Sequence, residues 1–179
     1  MNVVIENTPL ANAYAPDSLS RDENNQIAFS TGQSDIGRVL VARNNTGVCA
    51  ILIEAGAGEL RVDLSSRFSG SILVRDDEML RGDLEKVTRF IKMPNEKLDL
   101  ALDIRGTPFE RRAWEVLRTV RVGAVITYAA LAHRIGKPDA LRAVANACAN
   151  NPLALAIPGH RVVRTNGALP DIVGESNAL

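Results

Sequence analysis

The chain has 179 residues, 46% of them hydrophobic, so it can bury a core without disulfides or a structural metal. With two cysteines and no basic stretch leading into an apolar run at the N-terminus, it fits neither a disulfide framework nor a secreted protein, and we expect a cytosolic protein, or a nuclear one in a eukaryote. No apolar stretch approaches the roughly 20 residues that span a bilayer. The formal charge is zero but uneven: residues 1–104 carry 11 basic and 16 acidic side chains, and residues 105–179 carry 10 and 5. This asymmetry predicts that any phosphate contact comes from the C-terminal half, although an ordinary solvated surface gives the same count.

The N-terminal half is predicted to be a small α/β layer behind a leader. Residues 1–25 are rich in Asn, Pro and Ser and lack periodicity, which is typical of a flexible leader or a linker. Two apolar runs, 39–42 and 48–53, flank Asn44-Asn45-Thr46-Gly47 and predict a hairpin. Apolar residues at helical spacing predict helices around residues 60–68 and 78–92, and the alternation of Leu98, Leu100 and Leu102 predicts a further strand.

The C-terminal half is predicted to be helical. Thr107, followed by a proline, is expected to cap a helix with one apolar side. A second helix over residues 128–135 should end at Gly136, and Asp139 should cap a third that runs to about residue 149. Two short helices with a tight glycine-containing joint predict a helix-turn-helix.

Residues 157–163 read Ile-Pro-Gly-His-Arg-Val-Val. This segment resembles the Pro-Cys-His-Arg signature of O6-alkylguanine-DNA alkyltransferases, with Gly159 in the place of the cysteine. Other motifs similar to that family follow in its order and near its spacing, at residues 105–109, 113–117, 127–128, 131–132, 135–138, 142–144 and 151–152. Residues 27–100 resemble the variable N-terminal half of the family, as found in the C-terminal part of adaptive-response proteins.

The resemblance implies an α+β fold. A small N-terminal α/β domain of ribonuclease H-like type is expected over residues 26–103, and a helix-turn-helix and active-site domain over residues 104–167. Residues 168–179 depart from the family. They show no counterpart of its lid tyrosine, and the closing helix with the glutamate that orients the histidine is missing, so we expect a divergent, truncated tail.

The resemblance also implies a catalytic site that has lost its nucleophile. In the family the cysteine takes the alkyl group irreversibly from a damaged guanine, which requires a thiolate. Gly159 has none. His160 stands where the family has the histidine that accepts the cysteine's proton through a water, so it is the former proton acceptor. The glycine is explained by a natural loss of the cysteine, by decay of the position or by an engineered substitution. One consequence of the missing side chain would be a larger pocket, with room for bulkier O6-alkyl groups.

The implied DNA contacts lie mainly on the third helix of the C-terminal half. In the family this helix enters the minor groove, where Ala140 and Ala143 would allow close approach and Arg142 would fill the gap left by the flipped nucleotide. From sequence alone, close packing in the core is the favoured reason for such alanines, and an ion pair with Asp139 is the alternative role of the arginine.

Three further residues complete the implied site. Tyr128 matches the tyrosine that assists rotation of the nucleotide, although a residue covering the apolar side of its helix would look the same. Arg161 is expected to be a structural or phosphate-facing cation. Asn151 is expected to brace the helix-turn-helix against the active-site strand, a structural role that any Asn-Pro turn can fill.

The remaining chemistry-bearing residues predict no metal and no cofactor. Cys49 and Cys148 fit small buried hydrophobic residues, outside any Pro-Cys-His-Arg setting. Together with His133 and His160 they show no zinc-ligand spacing.

The sequence therefore favours a DNA-repair protein that binds and flips O6-alkylguanine in double-stranded DNA without alkyl transfer, comparable to alkyltransferase-like proteins, with downstream repair proteins as further partners. One alternative is a methylated-DNA-protein-cysteine methyltransferase whose present copy is mutated or truncated. Another is an inactive remnant of a larger adaptive-response protein. A sequence-specific regulator is disfavoured, because the third helix lacks the polar side chains that read major-groove edges.

Overall fold

A computed structural model describes residues 25–54 and 59–164. The predicted leader, except for its last residue, and the predicted tail lie outside this part of the chain. The described residues form a mixed α/β fold of six strands, five α-helices and one 3-10 helix. In chain order these are β1 (Gln26–Ser34), β2 (Gly37–Arg43), β3 (Val48–Ile53), α1 (Leu60–Arg67), β4 (Ile72–Arg75), α2 (Arg81–Lys92), α3 (Pro108–Arg118), β5 (Ile126–Thr127), α4 (Tyr128–Ile135), α5 (Leu141–Ala149), the 3-10 helix (Gly159–Arg161) and β6 (Val162–Val163).

Four strands form the main sheet, in the order β3-β2-β1-β4. β1, β2 and β3 are antiparallel neighbours, whereas β4 runs parallel to β1. The predicted hairpin joins β2 to β3, and the Asn44 side chain closes its turn by accepting hydrogen bonds from the backbone N–H groups of Thr46 (2.9 Å) and Gly47 (3.0 Å). A Cβ on Gly47 would lie 2.6 Å from the Ala101 carbonyl oxygen, so this close approach requires glycine.

Each face of the sheet packs into its own cluster of buried apolar side chains. α1 covers one face, where Leu60 and Leu64 pack with Phe29 and Leu40. The larger cluster lies on the other face and draws on both halves of the chain, from Val41, Ile51 and Val87 to Trp114, Leu117, Leu131, Val144 and Ile157. The sheet and the C-terminal helices therefore contribute side chains to one shared core.

Most of the capping residues predicted for the C-terminal helices lie at the observed helix ends. Thr107 forms a capping box with Glu110 at the start of α3, and Gly136, with φ of 80°, ends α4, as predicted. The prediction that Asp139 caps the third helix is wrong. A turn closed by the Ala140 N–H on the Lys137 carbonyl (3.0 Å) makes Ala140 the N-cap, and α5 begins without a side-chain cap.

Three other expectations differ from the structure. The segment 98–102 is not a strand, because Leu100 donates back to the Leu98 carbonyl and the segment meets the sheet through a single bridge between Leu102 and Val48. Neither β1 nor β4 was predicted, and α2 begins at Arg81 rather than near residue 78. Within the described residues, none of the helices is both long enough and apolar enough to cross a bilayer.

Candidate active site

The loop that leads to Gly159 is held by the side chain of Asn151. Its Nδ2 donates to the Ile157 carbonyl (2.7 Å), and its Oδ1 accepts from the backbone N–H of Leu153 (3.0 Å). Asn151 is buried, so both bonds are shielded from water. One amide side chain thus fixes both ends of the loop, and the expected role of Asn151 in bracing the helix-turn-helix against the active-site strand stays a prediction.

A two-residue parallel ladder sets the position of Tyr128 relative to the same loop. Ile126 pairs with Val162 and Thr127 with Val163, so β6, which follows the 3-10 helix directly, lies beside β5. The Thr127 hydroxyl accepts a hydrogen bond from the Ala130 N–H (3.1 Å) and caps α4. Tyr128, the first residue of that helix, is thereby fixed next to the segment that contains Gly159.

The backbone at Gly159 leaves room for a side chain. A Cβ placed there would lie 3.6 Å from the Cys148 carbonyl oxygen and 3.7 Å from Asn151 Nδ2, which are ordinary van der Waals distances. The φ angle of Gly159 also lies outside the left-handed region. Neither sterics nor backbone conformation therefore requires glycine at this position.

The chain's two thiols are poor nucleophiles. Burial raises the pKa of Cys148 to about 11. Burial, with a smaller contribution from the Asp103 carboxylate, also raises the pKa of Cys49 to about 11. At neutral pH only about one thiol in ten thousand would be ionised at either position, and the thiolate is the reactive form. Cys148 lies near the vacant position but is not activated to replace the missing group.

His160 and Tyr128 carry perturbed acid-base properties. Partial burial of the imidazole, with the positive charge of Arg161, lowers the pKa of His160, so the ring is neutral at neutral pH. Burial raises the pKa of the Tyr128 phenol, and the neighbouring Cys148 adds to this effect. Arg161 donates from Nη1 to the Val120 carbonyl (2.6 Å), which ties the 3-10 helix to the end of α3.

The two sides of α5 differ in environment. Arg142 and Ala143 are exposed and Ala140 is half-buried, so this side of the helix presents small side chains and one cation. Val144 and Ala147 are buried. Core packing therefore explains the buried Ala147, whereas the exposed Ala143 is left available for contact with a partner.

Arg142 itself is unpaired. Among the described residues it has no ion-pair partner within 4.0 Å, and the alternative pair with Asp139 does not form. The half of the chain in which it lies is basic in sequence, since residues 105–164 contain ten Lys and Arg against three Asp and Glu. An exposed guanidinium in a basic half of the chain suits contact with a polyanion.

Several structurally important residues were missed by sequence reasoning. Trp114 donates from Nε1 to the Ala147 carbonyl (2.7 Å) and so joins α3 to α5. A cavity of about 720 Å³ lies between α1 and the C-terminal half, where Arg67, Glu110, Trp114 and Asn150 are among its lining residues. The tryptophan indole, which needs a hydrogen-bond partner when buried, was the one local signal for this region.

Similar proteins fall in one family. Residues 108–177 match the family described as the DNA-binding domain of 6-O-methylguanine DNA methyltransferase. The bifunctional transcriptional activator and DNA repair enzyme Ada of Escherichia coli is 40% identical over 82% of this chain and 42% of its own length. An inducible methylated-DNA-protein-cysteine methyltransferase of Bacillus subtilis is 34% identical over 58% of each chain. The present chain thus spans less than half of the first relative and about three fifths of the second.

Solved structures agree with the sequence matches. The crystal structure of O6-methylguanine methyltransferase from Mycobacterium tuberculosis has a TM-score of 0.68, with 27% identity over 83% of this chain and 85% of that one. The crystal structure of the M. tuberculosis protein OGT in complex with DNA has a TM-score of 0.64, with 26% identity over 79% of this chain and 81% of that one. By its motifs, its fold and these relatives, the chain belongs to the family of O6-methylguanine DNA methyltransferases and Ada-like alkyltransferases.

Proposed function

We propose that this chain binds double-stranded DNA that contains O6-alkylguanine and holds the flipped nucleotide without removing the alkyl group. The observation that carries this proposal is Gly159, which stands in a loop that is otherwise fully braced. Asn151 and the β5–β6 ladder hold this loop, and the loop leaves space where an acceptor side chain would be. The scaffold of the site is retained and its nucleophile is not.

The DNA contact is assigned to α4 and α5 as a helix-turn-helix. The exposed side of α5, with Arg142 and Ala143, would enter the minor groove, and Ala140 at its N-cap would allow the backbone to approach. The solved DNA complex of a relative with a TM-score of 0.64 supports DNA binding by this fold. The excess of basic residues in the same half supports phosphate contacts around the helix.

Nucleotide flipping is assigned to Arg142 and Tyr128. Extruding a nucleotide costs a few kcal/mol in lost stacking and pairing, and least for a damaged base. Arg142 forms no ion pair with any residue in the described part of the chain, so its guanidinium can fill the gap without first breaking such a pair. Tyr128 is assigned to contact the rotating nucleotide, and the β5–β6 ladder, which ends at the residue before it, supports this assignment.

A salt-controlled titration tests this function. Two duplexes of one sequence, one with a single O6-methylguanine, are titrated at several salt concentrations, and the recovered protein is weighed intact. We expect tighter binding to the methylated duplex, weaker binding to both as salt rises, and no change in protein mass. Equal affinity for the two duplexes would overturn lesion recognition. A mass gain of one methyl group on a cysteine would instead establish the methyltransferase reading.

A further inference from the structure

A chain of polar contacts joins α1 to the C-terminal end of α5. Arg67 donates from Nε to the Asp63 carboxylate (2.8 Å) and from Nη1 to the Asn150 carbonyl (3.2 Å). The Asn150 side chain in turn donates to Glu110 Oε1 (2.9 Å). Glu110 Oε2 accepts from the backbone N–H of Thr107 (2.9 Å) in the capping box of α3. The contacts therefore connect three helices, one of them from the sheet half of the molecule.

The contact from Arg67 supplies a hydrogen-bond donor and a positive charge at the C-terminal end of α5, which the sequence of α5 does not provide. The last carbonyls of a helix have no partners within it, and they form the negative end of the helix dipole. α5 has no basic residue in its last turn, and its C-cap, Asn150, has right-handed α geometry rather than the left-handed geometry of a glycine cap. Arg67 brings the missing donor and positive charge from another helix.

The end of α5 is also a wall of the candidate active site. Asn150 immediately precedes Asn151, which braces the loop to Gly159. The Asn151 N–H donates to the Cys148 carbonyl, and that carbonyl oxygen is the nearest atom, at 3.6 Å, to a Cβ on Gly159. A shift in the last turn of α5 would therefore displace both the brace and the wall.

We propose that Arg67 is a positioning residue for the DNA-contacting helix. Through Asn150 and Glu110 it fixes the C-terminal end of α5, and with it the loop that contains Gly159. The effect of Arg67 on DNA binding rests on the proposed function. Its ordering of α5 does not, because that ordering is a property of the free protein. The cavity beside the network is lined by two acidic and two basic side chains, Asp63, Glu110, Arg67 and Arg105. Their formal charges sum to zero, so the lining does not favour a ligand of either charge.

The test compares three substitutions on α1. Arg67→Gln removes the charge, Arg67→Lys retains it, and Arg61→Gln is the matched control, since Arg61 is an exposed arginine on the same helix. Hydrogen exchange of the free protein is followed by mass spectrometry, with fluorescence of the chain's one tryptophan, Trp114, as a second reporter of the contact between α3 and α5. Binding to the methylated duplex is measured in parallel.

We expect Arg67→Gln to speed exchange over residues 146–157 while β1 to β3 exchange as in the parent. Binding to the methylated duplex should weaken roughly 3- to 10-fold, a coupling typical of residues that act at a distance. Arg67→Lys should restore part of both effects, and Arg61→Gln should change neither.

The outcomes separate this inference from the proposed function. Unchanged exchange over residues 146–157 in Arg67→Gln overturns the positioning role, whatever the DNA result. Faster exchange across the whole sheet also overturns it, because the residue then stabilises the fold in general. If local exchange rises but the parent protein does not distinguish the two duplexes, the ordering of α5 by Arg67 stands and the proposed lesion recognition fails.

Discussion

Replacing Gly159 by cysteine is the most direct test of how the site is built. The nearest atoms to a new Cβ are the Cys148 carbonyl oxygen at 3.6 Å and Asn151 Nδ2 at 3.7 Å, so the Cβ meets no clash. His160 is neutral at neutral pH because its pKa is lowered, and a neutral imidazole can accept the proton of a thiol. We therefore expect Gly159→Cys to fold and to present a thiol next to a proton acceptor.

The size of the stability change follows from the unfolded state. A glycine whose native backbone conformation is open to other residues loses more chain entropy on folding than its replacement, and substitution stabilises by about 0.4–1 kcal/mol. For a protein of this size, 1 kcal/mol corresponds to roughly 2–4 °C in Tm, so we expect Gly159→Cys and Gly159→Ala each to raise Tm by about 1–4 °C. Gly159→Ala is the matched control, since it adds the Cβ without the thiol.

Two measurements read out the prediction. Thermal unfolding compares both variants with the parent, and intact mass is recorded after incubation with the O6-methylguanine duplex. Only Gly159→Cys should gain the mass of one methyl group. A Tm below that of the parent for Gly159→Ala would refute the steric argument. A stable Gly159→Cys that gains no methyl group would refute the prediction that restoring the thiol suffices for transfer when residues 168–179 depart from the family.

The other predictions concern the supports of the site. Asn151→Ala should lower the free energy of unfolding by roughly 1–3 kcal/mol in urea denaturation, because the buried Ile157 carbonyl loses its partner; an unchanged midpoint would contradict the bracing role. The hydrogen bond from Asn150 chiefly holds the pKa of Glu110 below its ordinary value, so its stabilisation is complete above about pH 4.3 and is lost as pH falls through the lower folded pKa. Glu110→Gln should therefore be less stable than the parent at neutral pH, and the two should converge in pH-dependent thermal melts as pH falls through the lowered folded pKa of Glu110. A stability difference that stays constant with pH would show that the carboxylate charge is not its cause. Arg142→Ala should reduce the preference for methylated over unmethylated duplex in the titration, and equal weakening toward both would leave it a phosphate contact only.

Local chemistry explains which helices could be predicted from sequence. Thr107 and Gly136 act through contacts within four residues of themselves, a capping box and a left-handed C-cap, so their effect is independent of the rest of the fold. Asp139 has the same preference for an N-cap position, but the turn from Lys137 to Ala140 starts α5 one residue later and leaves it outside.

Features that depend on distant partners could not be predicted in this way. Leu98, Leu100 and Leu102 alternate as in a strand, yet among the described residues only Leu102 pairs with the edge strand β3, while Leu100 donates back to the Leu98 carbonyl. The residues of the candidate site also fall into those that the sequence identifies and those that it does not. Motifs identify Gly159 and Asn151, whereas the contact of Arg67 with Asn150 joins residues 83 apart and leaves no local pattern.

The core shared by the sheet and the C-terminal helices limits how this protein can be divided. Trp114, Leu117 and Val144 pack in the same cluster as Val41 and Ile51 of the sheet. A fragment that contained only the helices would expose this apolar surface to water and would be prone to aggregate. The C-terminal helices can therefore be separated from the sheet only by exposing this shared apolar surface, so we expect the two to unfold in a single cooperative transition.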